Sequence, residues 1–162
     1  HRDLPSFPTR RSADLVGALA VVNALGDVVD QQTGTILAGP RDTINGGFLS
    51  TVDILSNPNY KSFGIPSPTN TTLVIVATNA ALNKEYTNKL AQVSHTGMAW
   101  AIRPCHLMED GDVVFALATG TAVEPINMTQ LCSTAALVVA EAIRRAVIKA
   151  HGLGKIPSSG EL

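Results

Sequence analysis

The chain predicts a mixed α/β fold, and two patterns and a length point to it. Apolar runs of strand length occupy residues 16–24, 72–78 and 112–119. Two longer stretches, one from Asn83 to Pro104 and one over 129–150, repeat their apolar residues at helical spacing. At 162 residues and 17.0 kDa the chain has room for one domain with a real core.

Taken in order, 16–24 alternates loosely and is rich in Val, Leu and Ala, which reads as a buried strand. Residues 27–30 and 34–38 suggest a short hairpin closed near Gln31-Gln32-Thr33-Gly34. From Gly39 to Asn70 periodicity is lost, and Gly46-Gly47, Pro58, Pro66 and Pro68 punctuate an irregular loop of the kind that carries function or disorder. The run 72–78 follows as a central strand. Asn83 suits a helix N-cap, with Glu85 favourably placed against the helix dipole. Leu90, Val93, Gly97, Met98, Ala101 and Ile102 then keep helical spacing until Pro104 stops the helix. After the strand at 112–119, the last helix covers 129–150 with Gly152 as its C′ residue. Its face is Leu131, Ala135, Val138, Val139, Ala142, Ile143, Ala146 and Val147, partly alanine for close packing. Trp100 and Phe115 are expected in the core.

Composition excludes several function classes. Charged residues make up 15% and the net charge is -1, so no basic face for nucleic acid stands out. Cys105 and Cys132 lack metal-ligand spacing and are too few for a disulfide framework; they read as buried or half-buried thiols. No apolar run reaches the roughly 18 residues that span a bilayer, and Glu141, Arg144 and Arg145 interrupt the longest candidate. A soluble protein is expected. His106 follows Cys105, but a metal site needs three or four ligands and no second cluster supplies them. His95 reads as a structural or surface histidine.

Residues 1–15 break the pattern. Ser6-Phe7-Pro8-Thr9-Arg10-Arg11-Ser12-Ala13-Asp14-Leu15 is polar and unpatterned, and it resembles a translated sequencing adapter, to be set aside from fold reasoning. A genuine basic arm is the other reading. If the segment is foreign, the chain is a C-terminal portion of a longer protein. The lack of a signal peptide then says nothing; a cytoplasmic location is expected, with periplasmic or secreted ones left open.

The chemistry centres on Asn70-Thr71-Thr72, between a loop rich in Pro, Asn and Ser and the apolar strand Leu73-Val74-Ile75-Val76-Ala77. A hydroxyl at such a junction suits a hydrolase that cuts its own backbone. Cleavage before Thr71 would leave hydroxyl and free amine on one residue, and an adjacent N-terminal amine is a known activator of threonine. The amine's reference pKa of about 7.7–8.0 lets it act as base near neutrality. Downstream, Asp110-Gly111-Asp112 precedes a second apolar run. Residues two apart on extended chain share a face, so both carboxylates could meet at the strand's mouth; a Gly turn flanked by solvated aspartates fits the same spacing. Gly111 would let the two side chains converge. Thr72 rivals Thr71 as nucleophile, but alternation sends the two to opposite faces.

These stretches, taken together, resemble the DmpA-type L-aminopeptidase/D-esterase family of self-cleaving N-terminal-nucleophile hydrolases, which includes β-peptidyl aminopeptidases and nylon-oligomer hydrolases. The resemblance rests on Ala20-Val21-Val22-Asn23-Ala24-Leu25-Gly26-Asp27-Val28-Val29-Asp30, on Gly34-Thr35-Ile36-Leu37-Ala38-Gly39, on Asn70-Thr71-Thr72-Leu73 with Val76-Ala77-Thr78-Asn79, on Ala101-Ile102-Arg103-Pro104 with His106, Asp110, Gly111 and Asp112, and on Phe115-Ala116-Leu117-Ala118-Thr119-Gly120. They occur in the family's order.

The resemblance implies an α/β layered sandwich of β-sheets flanked by helices. It implies autocleavage between Asn70 and Thr71, giving an α fragment whose last part is 16–70 and a β fragment over 71–162. Thr71 would be the nucleophile, Asn23 the oxyanion donor, and Asp110 and Asp112 the pair that orients the nucleophile. Serine aminopeptidases of the family differ at residue 71, and the nylon-oligomer branch agrees with threonine there. The implied activity is hydrolysis of N-terminal residues from small peptides, amides or esters, with no cofactor and no metal. Nucleic acid and membrane are not expected partners; a homo-oligomer of processed units is. An acyl transferase like the ornithine acetyltransferases and a non-catalytic α/β binding domain are the alternatives. The isolated chain is expected to expose an apolar edge, to aggregate and to be inactive.

Overall fold

The computed structural model describes residues 15–60, 70–122, 125–154 and 156–161. The foreign-looking segment therefore lies outside the described residues except for Leu15, as does the 61–69 part of the loop before Asn70. Among the described residues, two three-stranded sheets and two long helices build the fold. In one sheet β4 (Thr71–Thr78) is central, antiparallel to β1 (Val16–Asn23) and parallel to β6 (Val113–Ala118). In the other, β2 (Asp27–Val29) lies between β3 (Ile36–Ala38) and the short β5 (Ile102–Arg103), antiparallel to both. The hairpin read at 27–38 is the β2–β3 pair.

Between the parallel strands β4 and β6 the chain crosses over through α2 (Lys84–Ala101), as a parallel pair requires. Asn83 caps it, its side chain accepting from the Tyr86 amide at 2.8 Å. Leu90, Met98 and Ala101 of α2 meet Leu131, Ala135, Val139 and Ile143 of α3 (Met128–Ile148) over Val74, Val76 and Val114 of the first sheet. The helices approach closely where Gly97 sits: a Cβ there would lie 2.1 Å from the Ala136 carbonyl oxygen. The small residues of α3 serve that approach.

Only one face of the first sheet is covered. Even-numbered side chains of β4, Thr72, Val74 and Val76, are fully buried, whereas Leu73 and Ile75 stay exposed. Leu19, Val21, Phe115 and Leu117 lie exposed in the neighbouring strands, so apolar exposure occupies a face of the sheet and not merely an edge. Phe115 is therefore 56% exposed and not core, and Trp100 on α2 is 39% exposed. The alternation that buries Val114 is what turns Phe115 outward.

Two further expectations are corrected. The stretch after Gly39 is not wholly irregular: α1 (Thr51–Ser56) forms there, capped by Ser50, whose hydroxyl accepts from Asp53 N at 3.2 Å. Asp27, 2% exposed, holds it against β2 by accepting from the Thr51 amide at 2.8 Å and from the Thr51 hydroxyl. The last helix ends four residues before Gly152, with right-handed Lys149 as cap. The Ala150 N–H closes a tight final turn on the Val147 carbonyl at 3.2 Å, so no left-handed glycine is needed.

Candidate active site

The junction at Thr71 is assembled from both neighbours of β4. On one side Asn23, the last residue of β1, pairs directly with Thr71. Opposed residues of an antiparallel pair have Cβ atoms roughly 4.5–5.5 Å apart on one face, so the two side chains are neighbours despite 48 positions of sequence between them. On the other side Asn70 bridges in parallel to Asp110. The strand's period of two separates the rival hydroxyls. Thr72 is fully buried, its Oγ1 without a hydrogen-bond partner among the described residues, while Thr71 is half-buried on the open face.

The carbonyl oxygen of Asn70 receives two donors, the Thr71 hydroxyl at 2.7 Å and the Gly111 amide at 2.8 Å. Gly111 is required there for a reason that side-chain convergence does not give. A Cβ on it would lie 2.7 Å from Thr71 Oγ1, within the radius a hydroxyl needs. Glycine brings its amide to the carbonyl without displacing the hydroxyl.

The two carboxylates converge on the junction but hold its flanks. Asp112, with its side chain 3% exposed, accepts from the Thr72 amide through Oδ1 at 2.9 Å. Its Oδ2 accepts from His106 twice, from the backbone amide at 3.2 Å and from ring Nδ1 at 2.9 Å. Asp110 accepts from Leu107 N at 3.0 Å and from Leu25 N, just past β1, at 3.4 Å. A buried carboxylate is tolerated only when its oxygens are so satisfied. Of these hydrogen bonds the one next to Thr71 is that from the Thr72 amide to Asp112.

Around this core the thiol of Cys105 is pushed up to about 11 by its burial and then by the nearby Asp112 and Asp110 charges. Burial, reinforced by the His106 ring, lowers the pKa of His95. Both cysteines are free, Cys132 buried and Cys105 half-buried. Among the described residues no three His, Cys, Asp or Glu side chains group as metal ligands, and no helix is long and apolar enough to cross a membrane.

His106 is what sequence reading missed. A tight turn returns it to Asp112: Asp110 N–H donates to the Leu107 carbonyl at 3.0 Å, and the Asp110 carboxylate closes back on Leu107 N. His106 itself is left-handed, with φ 61°, a conformation histidine tolerates better than most residues. An imidazole six positions ahead of a buried acid, across such a turn, was the available signal.

Residues 6–157 match the sequence family described as peptidase family S58. An uncharacterized aminopeptidase of Mycobacterium leprae is 36% identical over 164 residues, covering 93% of this chain and 45% of the relative. A 6-aminohexanoate-oligomer endohydrolase of Paenarthrobacter ureafaciens is 30% identical over 114 residues, 68% of this chain and 31% of the relative. The chain thus spans under half the length of these relatives. Among solved structures, the L-aminopeptidase D-Ala-esterase/amidase of Ochrobactrum anthropi superimposes with a TM-score of 0.53 at 17% identity, over 88% of this chain and 42% of that one. That structure is described as a variant of the Ntn-hydrolase fold, and the mixed α/β arrangement here shares it. By the family match over nearly its whole length, the chain belongs to peptidase family S58, the DmpA-type family.

Proposed function

We propose that this chain carries the catalytic centre of a self-processing aminopeptidase or amidase whose nucleophile is Thr71. The observation that carries the reading is the Asn70 carbonyl, which accepts from both the Thr71 hydroxyl and the Gly111 amide. In processing, Thr71 Oγ1 attacks the Asn70 carbonyl carbon. The Gly111 N–H opposes the charge that develops on oxygen. The hydroxyl proton passes to the Thr71 nitrogen, the C–N bond breaks, and an ester joins Asn70 to Thr71 Oγ1. Water then hydrolyses the ester, leaving a carboxylate on Asn70 and a free amine and hydroxyl on Thr71.

In turnover the Thr71 amine takes the hydroxyl proton as Oγ1 attacks a substrate carbonyl, and it returns that proton to the leaving amine. Asn23, on the same face and opposite Thr71, donates to the oxyanion. Asp112 fixes the backbone just after Thr71, Asp110 ties the chain beyond β1 to the 107–110 turn, and both set negative charge near the new ammonium. Substrate approaches from the open sheet face, whose Leu73, Ile75 and Leu19 suit small peptides, amides or esters with an apolar side. The working form is a homo-oligomer of processed units. Threonine at 71 and the Paenarthrobacter relative favour a second reading, an endo-acting amide hydrolase of linear ω-amino-acid oligomers.

The test compares Thr71→Ala with Thr71→Ser in this chain and in an extended form, joined to the upstream portion of the Mycobacterium leprae relative. Serine is expected to process and alanine to remain intact and inactive. An alanine variant that still cuts at this bond would refute the nucleophile.

A further inference from the structure

Outside the residues given chemical roles above, His95, Cys105 and His106 are titratable groups linked to the carboxylates of the junction. Burial, and after it the same two carboxylates, keeps the Cys105 thiol protonated. The two histidines form a chain toward the nucleophile. His95 Nδ1, on α2, lies 3.3 Å from His106 Nε2, with the rings edge to face at 4.8 Å between centroids. His106 Nδ1 lies 2.9 Å from Asp112 Oδ2, and Asp112 Oδ1 accepts from the Thr72 amide.

This geometry points to a positioning role: we propose that His106 locks the Asp112 carboxylate so that it clamps the backbone immediately after Thr71. The inference rests on the reading of Thr71 as nucleophile. Two features single out His106. A buried carboxylate with one oxygen on Thr72 N–H could rotate about its last side-chain bond unless the second oxygen were also tied. His106 ties it with two donors, ring and backbone, and adopts a left-handed conformation to do so. The Asp112 contact fixes Nδ1 as the protonated nitrogen, leaving Nε2 to face His95. Burial keeps His95 neutral to lower pH than an ordinary histidine, so its Nδ1–H can donate to the unprotonated Nε2 of His106 and hold that ring. The titratable groups in contact with His106 are Asp112 and His95. The clamp matters because a threonine nucleophile works only in one rotamer, and misplacement by about 1 Å can cost on the order of 10²-fold in rate.

The test uses His106→Gly, which accepts the positive φ but removes the ring, and His106→Asn, which accepts it and keeps an N–H donor near the position of Nδ1. Two readouts are taken on the extended chain. One is the rate of cleavage before Thr71. The other is hydrogen exchange of the Thr72 amide by NMR in the uncleavable Thr71→Ala background, which needs no activity. Loss of a charge-assisted hydrogen bond predicts cleavage slowed roughly 10- to 100-fold in the glycine variant. Thr72 exchange should be at least about tenfold faster, and asparagine should restore both to within about threefold. A general structural role would move exchange across β4 and would not be rescued by asparagine. Thr72 exchange unchanged by His106→Gly, or asparagine as defective as glycine, overturns the positioning role. If exchange responds as expected while the His106 wild type shows no nick, the clamp stands and the nucleophile reading fails.

Discussion

Adding one methyl group at Gly111 should separate chemistry from folding at this site. In Gly111→Ala the new Cβ would begin 2.7 Å from Thr71 Oγ1, 3.5 Å from the Asn70 carbonyl oxygen and 3.7 Å from Thr71 Cβ. Only the first is a clash. Relieving it to an ordinary contact near 3.4 Å requires a shift of about 0.7 Å between methyl and hydroxyl. Thr71 can rotate its hydroxyl away, or the 110–112 turn can retreat. Rotation removes the hydroxyl from the Asn70 carbonyl, and retreat withdraws the Gly111 amide from the same oxygen. Either way a group used in the cleavage leaves its place, and a displacement of that size is expected to slow processing roughly 10- to 100-fold. The protein should stay folded, with a loss below about 3 kcal/mol. Gly111 is exposed and its φ lies outside the left-handed region, so the overpacking cost of about 1–3 kcal/mol is partly offset by about 0.4–1 kcal/mol from a stiffer unfolded chain. The assay is an intact-mass time course beside a melting curve. Cleavage at the wild-type rate in a folded Gly111→Ala protein would refute the placement of the hydroxyl and the amide on one carbonyl as the basis of the reaction.

Asn23→Ala in the processed enzyme should lower kcat by about 10²–10³ with little change in melting temperature; steady-state kinetics with an unchanged kcat would contradict its oxyanion role. Gly97→Ala should destabilise without touching the site, because its Cβ meets the Ala136 carbonyl at 2.1 Å. A loss of about 1–3 kcal/mol in urea unfolding is expected. With the Cys105 thiol at about 11, only about 0.1% is thiolate at pH 8, against about a quarter for an ordinary thiol near 8.5. Iodoacetamide labelling mapped by mass spectrometry should therefore be slow at pH 8 and accelerate roughly tenfold per pH unit up to that value.

Much of the fold could be read locally. Asn83 and the spacing from Leu90 to Ala101 mark α2 because cap and period are written in adjacent residues. The three strands of the main sheet announce themselves by unbroken apolar runs. Alternation alone also divides Thr71 from Thr72, since one-residue parity decides which face each takes. Other features depend on contacts that have no local signature. Asn23 meets Thr71 only because β1 pairs in full register with β4, and without the family resemblance a strand-end asparagine reads as a turn former. The pairing of His106 with Asp112 has no local signature because it is reached through the fold-back of the 107–110 turn. Phe115 and Trp100 were placed in the core on hydrophobicity, which identifies what a residue can bury and not which face is covered. The six-residue helix α1 was invisible because it is held by buried Asp27 from another element.

Mass spectrometry of the purified extended chain, followed by N-terminal sequencing, reads the state of the Asn70–Thr71 bond itself. A break between Asn70 and Thr71 is expected, releasing a 92-residue fragment that begins Thr71-Thr72-Leu73-Val74, with no break in Thr71→Ala. A single uncut species, or a new N-terminus at any other residue, would contradict it.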